Sequence, residues 1–165
     1  DLMQIHNLLD WKTHLPTLRK WKEEGRIRYI GITHYTASAY DEVEAVLKAE
    51  QLDFLQINYA LDDRGVEKRL LPLCRERGVA VICNRPFGGG GLIARLKGKP
   101  LPGWAAQVGV SSWPQLALKF LLAHPAVTCV IPGTGNPRYM AENAGAGFGP
   151  MLTGAQREQL IDLVG

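Results

Sequence analysis

The sequence predicts an α/β fold built from about five parallel βα units, and two observations carry that prediction. Short apolar runs rich in β-branched residues alternate with longer segments in which apolar residues recur at helical spacing. The polar residues that end the first four runs, His6, Thr33, Asn58 and Asn84, follow one another at intervals of 27, 25 and 26 residues. Parallel strands need a helical crossover of about this length, so the regular interval predicts a parallel sheet.

The strands are predicted where the apolar runs lie: Asp1–His6, Arg28–Thr33, Phe54–Tyr59, Val79–Asn84 and Val127–Pro132. Helices are predicted at Thr13–Glu24, Ser38–Ala49, Val66–Arg77, Ser112–His124, about Pro137–Ala144 and Gly154–Val164. Gly25 and Gly78 supply C-terminal stops for the first and third helices, and Pro114 suits the first turn of the fourth. Gly88–Gly91 and the Pro-rich stretch to Pro102 are predicted as a loop.

Chain length limits the architecture. Five βα units fit either an open doubly wound sheet or part of a (β/α)8 barrel, and a whole barrel needs about 250 residues. A barrel without its first three units would have the length of this chain, 165 residues, and would begin on a strand. We therefore expect residues 1–165 to form a single truncated barrel domain, a half-barrel fragment.

Composition excludes several classes of protein. Hydrophobic residues make up 46% of the chain and charged residues 21%, and the net charge of +3 is scattered without a basic stripe for nucleic acid. Three widely spaced cysteines argue against a disulfide framework. No apolar stretch is long enough to span a membrane. A cytoplasmic location is the expectation, and an upstream targeting segment stays open because the sequence starts with Asp1.

Polar residues gather at the predicted carboxyl ends of the strands, the face at which parallel α/β folds place their sites. His6 and His34 end neighbouring strands and could bind a metal, but the carboxylates that such sites use at other strand ends are missing. The Gly88–Gly91 segment matches neither the dinucleotide fingerprint nor Walker A. A flexible surface loop and a backbone contact to a cofactor both stay open for it.

The segment "GTGNPRYMAEN" enters a helix just after the last strand. The free N–H groups at that helix start could hold a phosphate, with Arg138 adding charge. An ordinary capped surface helix, with Thr134 or Asn136 near the cap, is the alternative.

Five segments in order resemble the C-terminal part of an aldo-keto reductase, from its fourth to its eighth βα unit. "DLMQIHN" is similar to the fourth strand, "GRIRYIGITHY" to the fifth and "LDFLQINYAL" to the sixth. "GVAVICNRPFGGGGL" resembles the seventh strand with its loop, and "VIPGTGNPRYMAEN" the eighth. The resemblance covers essentially the whole chain.

The resemblance implies NADP as cofactor, with NAD possible, and no metal. It makes His6 the active-site histidine, which orients the substrate carbonyl. The implied cofactor contacts, from the nicotinamide to the adenosine end, are Thr33, His34, Gln56, Asn84, Arg85, Phe87, Gly89, Thr134, Arg138, Glu142 and Asn143. Asn84 stands where the family has a tyrosine that stacks on the nicotinamide, and Tyr139 where it has Arg or His beside the 2′-phosphate.

The family's catalytic tyrosine, lysine and aspartate belong to the first three units, which this sequence lacks. The chain is therefore expected to be a fragment of an NAD(P)H-dependent reductase of aldehydes or ketones, inactive when isolated. We expect it to self-associate or to pair with the missing half. A natural half-barrel that binds a nucleotide or self-associates without catalysis is the alternative, and a metal-dependent barrel hydrolase is a third.

Overall fold

A computed structural model describes residues 1–164 and contains one five-stranded sheet. Its strands are β1 (Leu2–Ile5), β2 (Tyr29–Thr33), β3 (Phe54–Asn58), β4 (Ala80–Asn84) and β5 (Val127–Val130). They pair in the order β1-β2-β3-β4-β5, and every pair is parallel. This order, in which each strand lies beside the next one in sequence, is that of a partial (β/α)8 barrel.

Seven helices connect and follow the strands. They are α1 (Trp11–Glu23), α2 (Tyr40–Ala49), α3 (Leu70–Arg77), α4 (Gly91–Leu96), α5 (Trp113–Leu122), α6 (Pro137–Gly145) and α7 (Gly154–Val164). Successive right-handed crossovers that all step in one direction place their helices on one face of a sheet. The alternating burial along the strands agrees with this arrangement: Leu55 and Ile57 of β3, and Val81 and Cys83 of β4, are fully buried.

The opposite face of the sheet is less covered. In β3 and β4 the residues between those buried positions, such as Gln56 and Ile82, are only partly buried. Tyr29 of β2, which belongs to the same face, is 41% exposed, and Ile131 just beyond β5 is 45% exposed. We call this less covered side the open face.

The predicted elements are present, with shifted ends. β1 stops at Ile5, because His6–Leu8 form a 3-10 turn in which Asn7 has φ +52°. Helix α3 starts at Leu70 instead of Val66, since Gly65–Lys68 form another 3-10 turn and Arg69 is not helical. The predicted loop after β4 is wrong in part: Gly88–Gly90 form a 3-10 turn, and α4 follows directly.

Within residues 1–164, no helix combines the length and the apolar character that crossing a membrane requires.

Candidate functional site

The carboxyl ends of β2 and β3 bring three of the predicted residues together. Thr33 of β2 lies opposite Gln56 of β3 in the sheet register, and Thr33 is 5% exposed. The backbone N–H of His34 donates to the carbonyl oxygen of Gln56 at 2.9 Å, which extends the ladder by one residue. Thr33, His34 and Gln56 are therefore neighbours on rigid backbone.

The imidazole of His34 faces its own loop. The backbone N–H of Tyr35 donates to Nδ1 of His34 at 3.0 Å, so Nδ1 is the acceptor and the ring proton of a neutral His34 lies on Nε2. The His34 and Tyr35 rings stack with centroids 5.6 Å apart. The Arg85 guanidinium lies 5.6 Å from the Tyr35 ring centroid, within cation–π range. Tyr35, which was not among the predicted site residues, thus joins His34 to Arg85.

Asn84 closes this group from β4. Its side-chain nitrogen donates to the backbone oxygen of His34 at 2.9 Å, while its side-chain oxygen is buried and has no partner within residues 1–164. Asn58 lies directly opposite Asn84 in the register of β3 and β4. Its nitrogen donates to Asp63 at 2.7 Å, and its oxygen is likewise buried without a partner among the described residues. Two unpaired amide oxygens therefore end neighbouring strands.

The segment after Asn84 turns sharply. Arg85 has φ +50°, which is uncommon for a residue with a side chain, and Gly89 follows with φ +70°. A Cβ atom on Gly89 would lie 2.9 Å from Nη2 of Arg85, so a side chain there would displace the guanidinium. Gly89 keeps the space in which Arg85 folds back over the turn.

A second group of predicted residues lines a cleft of about 400 Å³, which we call the α4–α6 cleft. Its lining residues are Phe87, Gly90, Ile93, Pro114, Gly133, Thr134, Tyr139, Glu142 and Asn143. Phe87, Thr134, Glu142 and Asn143 were predicted. Ile93 was not, because the sequence did not reveal α4, and Pro114 of the predicted helix α5 was not expected to reach the cleft.

Local bonds shape the α6 side of this cleft. The side-chain oxygen of Asn136 accepts from the backbone N–H of Arg138 at 3.0 Å and so caps α6, as one of the sequence alternatives predicted. The amide nitrogen of Gln115 in α5 donates to the backbone oxygen of Glu142 at 3.1 Å and fixes α6 against α5. Arg138 is exposed. Among residues 1–164, which the structure describes, it is not one of those that line the cleft.

His6 belongs to the 3-10 turn after β1. It is exposed in the turn after β1 and lines a groove of about 370 Å³ between β1 and α1, together with residues that include Leu9, His14 and Trp21. The backbone N–H of Asn7 donates to Oγ1 of Thr33 at 2.9 Å, which is the link between this turn and the end of β2. In residues 1–164, no three His, Cys, Asp or Glu side chains are grouped closely enough to hold a metal ion.

Comparisons with known proteins agree on one family. The model of the aldo/keto reductase family matches residues 1–156. The NADH-specific methylglyoxal reductase of Escherichia coli (strain K12) is 29% identical over 78% of this chain and 46% of its own length. The present chain thus spans about half of that curated relative.

Solved structures give the same result. The holo form of aldo-keto reductase AKR11C1 from Bacillus halodurans superposes with a TM-score of 0.75 and 26% identity, over 100% of this chain and 61% of that one. An aldo/keto reductase from Klebsiella pneumoniae, solved in complex with NADP and acetate, superposes with a TM-score of 0.76 over 99% of this chain and 58% of that one. Its 24% identity supports the fold alone. With nearly the whole sequence matched by the family model, this chain belongs to the aldo/keto reductase family.

Proposed function

We propose that this chain is the C-terminal five βα units of an NAD(P)H-dependent aldo-keto reductase, which reduces an aldehyde or a ketone to an alcohol. The observation that carries the proposal is the joining of Thr33, His34, Gln56 and Asn84 at one end of the sheet. The α4–α6 cleft would hold the adenosine end of the same dinucleotide. Arg85 and Gly89 would lie along its pyrophosphate.

The free groups at the sheet end fit a nicotinamide carboxamide, which has one acceptor oxygen and an NH₂ with two donors. The side-chain oxygens of Asn58 and Asn84 are buried acceptors that lack donors among the described residues. Nε2–H of neutral His34 is a donor, because its Nδ1 is already occupied. Buried polar atoms usually have partners, so these unpaired oxygens support a ligand with matching donors.

When bound, a reduced nicotinamide supplies the hydride that reduces the carbonyl carbon. The oxygen of the carbonyl then needs a proton, and general acid catalysis of such a transfer contributes about 10²–10⁴-fold. His6 would orient the carbonyl from the turn after β1. Thr33, whose hydroxyl accepts from the Asn7 N–H, would hold that turn at the end of β2.

We propose that the chain alone lacks the general acid that would donate this proton. Tyr59 is fully buried and bonded to Glu67 and Arg157, so it cannot deliver a proton to a ligand. Tyr40 is 7% exposed, and burial beside Asp63 raises its pKa to about 12. The resemblance assigns the acid, its lysine and its aspartate to earlier βα units, and no tyrosine of this sequence matches that acid.

The open face supports the proposed partner, which is a second copy or the remaining units of a barrel. β1 and β5 each pair with one strand only within the described sheet, and unpaired strand edges attract further strands. Tyr29 and Ile131 expose apolar surface on or beside the same face. The same surface favours the second candidate, a half-barrel that binds a nucleotide and associates without catalysis.

Titration with NADH and NADPH, followed by cofactor fluorescence, tests the proposed cleft. We expect saturable binding that Gln56→Leu weakens at least several-fold, since the change removes an amide beside Thr33 and His34. Glu23→Gln, on the exposed surface of α1, is the matched control and should bind like the wild type. Failure of the wild-type chain to bind either dinucleotide would contradict the proposal.

Turnover assays with methylglyoxal and simple aldehydes test the missing acid. We expect no consumption of reduced cofactor by the chain alone, and activity after co-expression with the first three units of a related reductase. Sedimentation of the chain by itself should show a species larger than a monomer. Robust turnover by a monomer would refute both the missing acid and the need for a partner.

A further inference from the structure

A pocket of about 330 Å³ opens at the carboxyl ends of β2, β3 and β4. We call it the Asp63 pocket. The lining residues that matter for its chemistry are Tyr35, Asn58, Asp62, Asp63 and Arg85. Among the described residues it shares no lining with the α4–α6 cleft or with the groove beside His6. The proposed reaction leaves this pocket without a ligand of its own.

Asn58 brings a buried, unpaired acceptor to the Asp63 pocket. The residue is 3% exposed and ends β3, so the sheet fixes its position. Its amide nitrogen donates to Asp63 at 2.7 Å, whereas its amide oxygen has no partner in the part of the chain that the structure describes. Since buried polar atoms nearly always have partners, the oxygen of Asn58 indicates a ligand that carries a donor.

Asp63 adds a negative charge to this acceptor. It is half-buried, and none of the ion pairs found in residues 1–164 involves it, whereas neighbouring Asp62 is paired with Arg95 at 2.7 Å. The Tyr40 hydroxyl near Asp63 adds no charge, because burial raises its pKa to about 12. The Asn58 oxygen and the Asp63 carboxylate thus form one side of the pocket. A primary ammonium group matches this side, since it carries three donors and a positive charge.

Arg85 brings the opposite charge to the same pocket. Its guanidinium lies 5.6 Å from the ring centroid of Tyr35, and no ion pair or side-chain hydrogen bond of the described residues engages it. Asp63 and Arg85 therefore line one pocket without pairing with each other. A guanidinium presents a fork of N–H donors that fits a carboxylate through two parallel hydrogen bonds. One side of the pocket thus suits a cation and the other an anion.

We propose that the Asp63 pocket binds a small zwitterion, a molecule that carries a primary ammonium group and a carboxylate, as a free amino acid does. The ammonium group donates to the Asn58 oxygen and to the Asp63 carboxylate. The carboxylate of the ligand accepts from Arg85. A bare cation would satisfy Asn58 and Asp63 but would leave Arg85 without a partner, so the zwitterion fits the pocket better.

This binding site goes beyond the proposed function and does not rest on it. The zwitterion takes the free oxygen of Asn58, while Asn84, which does not belong to the described lining, stays available to the nicotinamide carboxamide. Arg85 has five N–H donors, enough to bind a carboxylate in the pocket and still lie along a pyrophosphate. The zwitterion and the dinucleotide can therefore bind to the chain together.

Calorimetric titration of the full chain without dinucleotide is the first test. The probes are glycine, β-alanine and 4-aminobutyrate, which differ in the number of methylene groups between the two charges. We expect at least one of them to bind with a Kd of about 1 mM or tighter. Ethylamine and acetate, which each carry one of the two charges, should bind at least about tenfold more weakly. If none of the three zwitterions binds, the proposal is overturned.

Calcium chloride serves as the metal probe in the same titration. Binding of calcium or of ethylamine as tightly as the best zwitterion would show that the pocket takes a cation only, and would overturn the proposal. Equal binding of acetate would show that Arg85 alone holds the ligand, with the same consequence. Binding of a zwitterion by a chain that fails to bind NADH and NADPH would contradict the proposed function and leave this proposal standing.

Two variants test the contacts. Asp63→Asn and Arg85→Met should each weaken binding of the zwitterion at least about tenfold. Asp162→Asn on α7 and Arg77→Met on α3 change exposed residues of the same types, and these matched controls should bind like the wild type. If either pocket variant binds as tightly as its control, the proposal is overturned.

A last comparison separates a ligand contact from a structural role of Asp63. Asp63→Asn should bind NADH within about twofold of the wild type, because Asp63 has no place in the proposed dinucleotide site. Equal losses of NADH and zwitterion affinity would show that Asp63 supports the end of the sheet, and would overturn its assignment. Circular dichroism checks that each variant folds. For a variant that does not, ethylamine and acetate on the unchanged chain test the same two contacts.

Discussion

The side-chain nitrogen of Asn84 donates a hydrogen bond of 2.9 Å to the backbone carbonyl of His34, 50 residues earlier in the chain. This bond spans β3, because Asn84 ends β4, His34 follows β2, and β3 lies between those two strands. The same His34 backbone donates to Gln56 at 2.9 Å. The loop that begins at His34 is therefore held from two strands at once.

Asn84→Ala should destabilise the chain by about 1–3 kcal/mol, because it leaves the His34 carbonyl without its donor. It should also weaken binding of NADH, since His34 loses one of its two anchors. Asn84→Asp replaces the donor by a carboxylate. At neutral pH it should destabilise the chain more than Asn84→Ala does. Urea unfolding and NADH titration measure both effects, with exposed Gln51→Ala as the control. An Asn84→Ala chain that unfolds at the wild-type urea concentration would contradict the role of this bond.

Gly31 in β2 meets the backbone of β3 more closely than any side chain permits. A Cβ atom there would lie 2.6 Å from the backbone oxygen and 3.0 Å from the Cβ atom of Phe54, its partner in the sheet register. Gly31→Ala should therefore separate β2 from β3 or shift their register, at a cost of about 1–3 kcal/mol in the free energy of unfolding.

Gly133→Ala is the matched control for that change, because a Cβ atom at Gly133 meets nothing within 4 Å. This variant should unfold within about 0.5 kcal/mol of the wild type. Both free energies come from urea unfolding followed by circular dichroism. If the two alanine variants prove equally stable, the close contact between Gly31 and Phe54 does not constrain the sheet.

Parallel strand order could be predicted from the sequence because it depends on the length of a βα unit, which the spacing of His6, Thr33, Asn58 and Asn84 records. Strand and helix ends were less predictable, since they depend on local turns. His6 continues an apolar run, yet β1 already ends at Ile5, because the left-handed backbone of Asn7 turns the chain there. Helix α4 is six residues long and starts at a glycine, so no helical period was visible.

The part of the site at the end of the sheet was predictable, because the carboxyl ends of parallel strands lie at the same edge. Thr33, His34, Gln56 and Asn84 are neighbours for that reason. The side chains that turn toward or away from a cleft were not predictable, because their directions depend on dihedral angles and packing. Arg138 stays a predicted ligand contact; in the described part of the chain its neighbour Tyr139 lines the cleft, and Arg138 does not. One position along α6 rotates a side chain by about 100°.

Lys119 of α5 is fully buried and donates to the backbone oxygens of Phe148, at 2.5 Å, and of Pro150, at 3.1 Å. Burial lowers its pKa below the ordinary 10.5. At alkaline pH the unfolded chain therefore binds more protons at this lysine than the folded chain does. The free energy of unfolding should consequently rise with pH between the folded-state pKa and 10.5.

Lys119→Met isolates that contribution, because every other titrating group is retained. The wild type should gain stability relative to this variant as the pH rises from 8 toward 10.5, in urea unfolding at matched ionic strength. Lys119→Met should also be less stable at pH 7, since two carbonyl oxygens lose their donor. A stability difference that stays constant across this pH range would show that burial does not perturb Lys119.

Arg157 fixes helix α7 to the end of the sheet. Its guanidinium donates to Glu67 at 2.9 Å, to the hydroxyl of Tyr59 at 3.1 Å and to the backbone oxygen of Phe120. It also lies 4.0 Å from the centroid of the Phe120 ring. The Arg157 and Glu67 side chains are 13% and 23% exposed, so water compensates poorly for a lost partner.

Arg157→Met should cost about 3 kcal/mol of unfolding free energy, because it leaves the Glu67 carboxylate partly buried without its cation. Arg157→Lys should cost less, since it keeps the charge and loses the forked geometry. Arg28→Met is the matched control: its ion pair with Asp1 has side chains 66% and 70% exposed, and losing it should cost less than about 1 kcal/mol. Equal losses in Arg157→Met and Arg28→Met would mean that α7 is held by apolar packing alone, because the buried pair would then contribute no more than an exposed one.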